Sequence, residues 1–254
     1  MRGWWIGLLL LAACSGPRGD IEHGKRLATI TGCISCHGPK LDGHLFEENP
    51  AFALAWSANL SRRLPGYSDA QIDATLRSGR RPDGSALWFM PTFTHRVLSA
   101  GDMRDVIAWL RTVPPTGSDH PPIKFGPEAK AALAMGFADS AAQAERLARR
   151  EPAALDKQTE QGRYLTRIAC AECHGPDLVG PKNPQVGDPP DLSVVAGYSV
   201  AQLTTLLRTG VAPGGRKVGF MSEEAPKRLS ALTDAEIAAI HAYLTARAKA
   251  AKPR

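Results

Sequence analysis

The chain has 254 residues, 43% of them hydrophobic, a length that suits two domains of about 100 residues better than one and a composition that excludes wholesale disorder. No apolar run reaches the roughly 20 residues that span a bilayer. The formal charge of +6 is spread thin, with 11 Lys/Arg against 10 Asp/Glu over residues 20–113, so no basic block marks a nucleic-acid partner.

The N-terminus opens with Met1-Arg2, stays apolar from Trp4 to Ala13 and reaches Cys14-Ser15-Gly16. A positive start and about ten apolar residues mark an export signal rather than a span. Leu11-Ala12-Ala13-Cys14 resembles a bacterial lipobox, which implies removal of residues 1–13 and acylation of Cys14. Ser15 at the next place resembles lipoproteins sorted to an outer membrane. The expectation is a periplasmic chain held to the membrane by lipid. A conventional cut nearby, leaving Cys14 in discarded peptide, is the alternative.

The rest is a repeat. Gly24-Lys25-Arg26-Leu27 leads to Cys33-Ile34-Ser35-Cys36-His37-Gly38-Pro39, and Gly162-Arg163-Tyr164-Leu165 leads to Cys170-Ala171-Glu172-Cys173-His174-Gly175-Pro176. Gly66-Tyr67-Ser68 matches Gly197-Tyr198-Ser199, Leu76-Arg77-Ser78-Gly79 matches Leu207-Arg208-Thr209-Gly210, and Ala108-Trp109-Leu110 matches Ala242-Tyr243-Leu244. The offset runs 137, 131, then 134 residues along the copies, so only loop lengths differ. The expected domains are residues 20–113 and 159–250, with 114–158 between them.

Each copy reads as helices separated by long loops, an all-α pattern without sustained strand alternation. Ser68 with Gln71, and Ser199 with Gln202, form capping boxes, and the helices they open stop at Gly79 and Gly210. The last helix of the second copy opens at Thr233, with Glu236 three residues on, and sets Ile237, Ile240 and Leu244 on one face. Met103, Val106 and Leu110 are their counterparts. Residues 114–158 begin with Pro114-Pro115 and Pro121-Pro122, then turn Ala-rich. They predict an extended connector followed by helix. Packing against the domains is expected, since Phe125, Leu133, Met135, Phe137 and Leu147 would otherwise stand in water.

Cys-x-x-Cys-His is the attachment sequence for c-type haem. Two thiols add to the haem vinyl groups and the next residue presents its imidazole to the iron. Cys33, Cys36 and His37, then Cys170, Cys173 and His174, predict two covalently bound haem c groups. The competitor is one zinc held by the four cysteines, which leaves both histidines and the downstream repeat unexplained. Electron transfer normally needs a sixth iron ligand, most often a Met sulfur. Met90 and Met221 alone occupy matching places, 11 residues after Gly79 and Gly210, in loops ahead of the last helices. Met103 reads as core and Met135 as connector packing. Among His23, His44, His95, His120 and His241, none recurs; His95, five residues after Met90, is the one placed to compete as a ligand.

The pattern resembles the class I c-type cytochromes over nearly all of the chain past the signal. The first copy is similar to haem domains in cytochrome subunits of periplasmic dehydrogenases, through Gly32 to Lys40, Asn59-Leu60, Gly66 to Asp69, Arg81 to Gly84, Met90-Pro91 and Asp105 to Leu110. Such resemblance implies tandem cytochrome c-like helical domains, each with its first helix crossing its last. Gly24 would then meet Trp109, and Gly162 would meet Tyr243. It also implies that a loop carbonyl fixes the proximal imidazole, Pro190 for His174 and Ala58 for His37. Arg77 and Arg208 would pair with haem propionates or face solvent.

The expected function is electron transfer through two His/Met-ligated haems to transient protein partners: a dehydrogenase, an oxidase or another cytochrome. No catalytic residue and no small-molecule substrate are expected. The alternatives are a haem enzyme with one open site, such as a di-haem peroxidase, or a haem-bearing subunit of a dehydrogenase complex. A thiolate-ligated haem needs one more cysteine than Cys14 and the four thioethers leave.

Overall fold

The computed structural model describes residues 19–182, 185 and 187–251; Cys14 lies outside them. The first copy comprises α1 (Ile21–Ile30), α2 (Cys33–His37), strands β1 (Leu45–Glu47) and β2 (Ala53–Trp56), α3 (Leu60–Arg63), α4 (Asp69–Ser78), α5 (Thr92–His95) and α6 (Ala100–Leu110). After β3 (Lys124–Phe125), α7 (Pro127–Ala134) and α8 (Ser140–Leu147) come the elements of the second copy. These are α9 (Glu160–Ala169), α10 (Ala171–His174), α11 (Val200–Thr209), α12 (Phe220–Arg228) and α13 (Asp234–Ala250). Among the described residues no helix is long and apolar enough to cross a membrane.

Local chemistry sets the helix limits. Both capping boxes form on α4 and α11, and Gly79 and Gly210 close them at φ +73° and +71°, a left-handed conformation that glycine adopts without a Cβ penalty. Thr233 and Glu236 make the third box, on α13. The apolar faces of α6 and α13 are buried as their spacing requires: Met103, Val106 and Leu110 in one copy, Ile237, Ile240 and Leu244 in the other.

In each copy the first helix crosses the last, α1 on α6 and α9 on α13. Glycine makes the close approach possible. A Cβ on Gly162 would stand 2.1 Å from Ala239 O and 2.7 Å from Tyr243 Cβ, so the expected Tyr243 contact is present. A Cβ on Gly24 would stand 1.9 Å from Asp105 O. Asp105 and Ala239 are equivalent positions, each one turn before Trp109 and Tyr243, so the two crossings are centred alike.

The three-stranded antiparallel sheet, in the order β1-β2-β3, is not signalled by the sequence. Its strands of two to four residues are too short to alternate visibly. The sheet matters because β3 belongs to the connecting segment: Phe125 pairs with Ala53. Phe125 and Phe137 enter an aromatic cluster with Phe52, Trp88 and Phe89, Trp88–Phe125 centroids being 4.9 Å apart and Phe89–Phe137 5.7 Å. The segment therefore packs on the first copy, with α8 against α5. Met135 is a correction: it is 83% exposed rather than packed in the connector. It follows the end of α7, where the chain turns through Gly136 at φ +100°.

The two copies share one continuous hydrophobic cluster. Arg26 reaches Glu236 at 2.6 Å, the Tyr164 hydroxyl donates to Asp102 and accepts from Ser99 N–H, and Arg228 of the second copy donates to the Ile30 carbonyl at the end of α1.

Candidate haem sites

Each attachment motif sits where the first helix ends. Gly32 at φ +87° turns the chain from α1 into α2, and α9 passes through Cys170 directly into α10. Gly38 and Gly175, both at φ +80°, then lead the chain back around the histidine. The Gly43 N–H donates to the His37 carbonyl and the Gly180 N–H to the His174 carbonyl, both at 2.9 Å. Between them Leu41 and Leu178 hold φ +54° and +64°, each fully buried. A left-handed leucine is strained by about 1–3 kcal/mol, and such strain persists only where packing over-determines it. The strained leucines recur at the 137-residue offset, the shared His-Gly-Pro-x-Leu-x-Gly run being their only sequence sign.

The histidines are poised as ligands. Nδ1 of His37 lies 2.9 Å from Ala58 O, and Nδ1 of His174 lies 2.8 Å from Pro190 O, the two carbonyls that the resemblance implies. A carbonyl only accepts, so Nδ1 carries the proton and Nε2 keeps its lone pair free. Burial pushes His37 down to about 4, against the opposing effect of the Ala58 bond, and lowers His174 in the same way. Both rings are neutral at pH 7, the form that binds iron.

All four thiols are free. Burial raises Cys33 to about 11 and Cys170 to about 12, while Cys36 and Cys173 stand at the surface. No three of the four sulfurs lie within 4.8 Å of one another, and His23, Asp102 and Asp105 form the only such trio among the described residues. A single tetrahedral zinc needs all four sulfurs about 2.3 Å from one point. The donor set fits haem instead: two unpaired thiols and one tautomer-fixed imidazole per copy.

The distal candidates are Met90 and Met221, both half-buried. Met90 lies in a loop, directly after Phe89 at φ +64° and the aromatic cluster. Met221 is a correction, since it lies in the first turn of α12 rather than in a loop. Pro226 hides this helix in the sequence, where a proline argues for a break. Arg77 and Arg208 are tied to backbone rather than lying loose on a solvated helix face. Arg77 donates to the carbonyls of Arg96 and Leu98, Arg208 to those of Ser230 and Leu232, fixing the turn before each last helix. His23, His120 and His241 hydrogen-bond to Asp105, Asp42 and Tyr198, and His44 is exposed.

One functional neighbour has no sequence signal. Arg228 is 7% exposed and acts on the charge of all four cysteines, so the two motifs lie side by side with it between them. It pairs at 2.7 Å with Glu172, the residue before Cys173. Burial opposes its charge, but Glu172 outweighs that and raises its pKa. It lacks a partner in the repeat, and only the packing of the copies sets it apart from other arginines.

The family described as cytochrome c oxidase, cbb3-type, subunit III matches the chain twice, over residues 19–110 and 157–244. The chain is also 27% identical over 262 aligned positions, 91% of its length, to the fructose dehydrogenase cytochrome subunit of Gluconobacter japonicus. It spans about half of that relative, 53% of its length.

Proposed function

Starting from the chain's membership of the cytochrome c oxidase cbb3-type subunit III family, we propose that this electron-transfer haem protein is a di-haem relay. Cys33 and Cys36 would hold one haem c and Cys170 and Cys173 the other, with His37 and His174 as proximal ligands and Met90 and Met221 as distal ones. Bound haem supplies a one-electron iron couple. The part of His37 and Met90, and of His174 and Met221, would be to occupy the positions at which an iron could otherwise take up water. The Ala58 and Pro190 carbonyls orient the imidazoles and raise their basicity, and the thioethers favour the reduced state. The observation that carries this reading is the duplicated proximal constellation, free thiol pair and Nδ1-anchored imidazole, set side by side across a packed interface.

The similarity to a dehydrogenase cytochrome subunit supports a dehydrogenase as redox partner, while the apolar leader ending in Leu11-Ala12-Ala13-Cys14 is what supports a periplasmic chain with Cys14 as lipid anchor. The partner docks transiently and no small-molecule substrate is turned over.

The experiment is optical and electron paramagnetic spectroscopy of exported holoprotein, oxidised and reduced, with and without carbon monoxide. Two low-spin haems, a far-red band from sulfur ligation of ferric iron and no carbon monoxide adduct are expected. A resting high-spin haem that takes up carbon monoxide would point to an open, peroxidase-like site and overturn the proposal.

A further inference from the structure

His95 closes α5, five residues after Met90, and is 3% exposed. Its Nδ1 lies 3.0 Å from the Pro91 carbonyl, so Nδ1 bears the proton and Nε2 a lone pair. The neighbouring Thr94 hydroxyl spends its own proton on that same carbonyl, at 2.8 Å. Among the described residues Nε2 is buried without a hydrogen-bond partner, and so is Thr92 Oγ1, one turn earlier on α5. Buried lone pairs are rarely left without a donor or a metal. Among the described residues the second copy brings Glu172 and Arg228 near, paired with each other at 2.7 Å, and a carboxylate oxygen has no proton to give the lone pair. His95 is also near enough to His37 to act on its charge.

The pose is that of the two proximal histidines: Nδ1–H anchored on a carbonyl, Nε2 bare. His95 aligns with Pro226 in the second copy, so the first copy alone has it. We propose that His95 is a reserve distal ligand for the first copy's iron, taking the sixth position through Nε2 when the Met90 thioether leaves it. The inference rests on reading Met90 as the resting ligand. An iron–sulfur bond breaks and an iron–nitrogen bond forms. No electron moves, and no proton must be shed because Nε2 is already unprotonated. The first haem thereby stays closed to small ligands, while loss of Met221 opens the second.

The test compares holoprotein of wild type, M90A, M221A and M90A/H95A by spin state, far-red absorbance and reduction potential. M90A is expected to lose half the far-red band, remain low-spin and show one lowered potential, since imidazole replaces a ligand that raises it. M221A is expected to lose the other half and turn high-spin. M90A/H95A is expected to turn high-spin, with added imidazole restoring the low-spin state and so showing an intact pocket. M90A that becomes as high-spin as M221A overturns the reserve role and leaves the Met assignment standing. M90A that keeps the full far-red band overturns the Met assignment, and the reserve role with it.

Discussion

Gly24→Val and Gly162→Val are each expected to destabilise the holoprotein by about 3 kcal/mol or more, a fall in melting midpoint of about 6–12 °C for a chain of this size. The cause is backbone, not side-chain, crowding. The added carbon would stand 1.9 Å from Asp105 O or 2.1 Å from Ala239 O, and a helix carbonyl cannot swing aside as a flexible side chain can. The first helix must then lift from the last, drawing the attachment motif at its end out of register. Gly66→Ala and Gly197→Ala are the controls, since a Cβ at either meets nothing within 4 Å. Thermal unfolding followed by circular dichroism separates the two pairs. An unchanged midpoint in Gly162→Val would mean that the α9–α13 crossing is not the tight contact described.

The second large effect belongs to Arg228. Arg228→Ala is expected to cost about 2–4 kcal/mol, near the lower part of the range for breaking a buried pair, because the Glu172 side chain keeps 25% exposure. Two losses combine. Glu172 is left charged and unpaired beside Cys173, and the Ile30 carbonyl loses its donor from the other copy. The copies should therefore part before either unfolds, turning one melting transition into two. R228A/E172A should be less damaging than the sum of the single changes, since it removes the stranded carboxylate. A strictly additive double variant would contradict the pairing. The second interdomain tie adds a pH sense to the same interface. Burial works against the Glu236 charge, but Arg26 and the Thr233 N–H outweigh it and hold the carboxyl below its ordinary 4.5. A depressed carboxylate stabilises docking above about pH 4.5 and loses that contribution as pH falls through the lowered value, so acid should part the copies by the same route.

Much of this architecture is legible in the sequence where chemistry is local. Ser68, Ser199 and Thr233 each name a helix start because a capping box satisfies two backbone donors within four residues. Gly79 and Gly210 name the ends because only glycine takes that conformation cheaply. Elements fixed by distant partners are not legible. The α12 helix forms in spite of Pro226, with Ser222 donating to the Gly210 carbonyl and Arg228 anchored across the interface. The strand at Lys124–Phe125 exists because Ala53 offers it an edge. Arg77 and Arg208 recur in the repeat, yet recurrence alone cannot separate a carbonyl clamp from a propionate partner. The proximal half of each haem site is contiguous and therefore readable as Cys-x-x-Cys-His. The distal half depends on where a long segment folds back, which is why His95 looks ordinary until its bare Nε2 is seen.

Two haems bound covalently in one chain, one per copy, are counted by intact-protein mass spectrometry of the exported holoprotein. A mass raised by two haem groups is expected in the wild type, and by one in C33A/C36A or C170A/C173A. A single haem in the wild type, or a haem-free chain carrying stoichiometric zinc, would contradict that count.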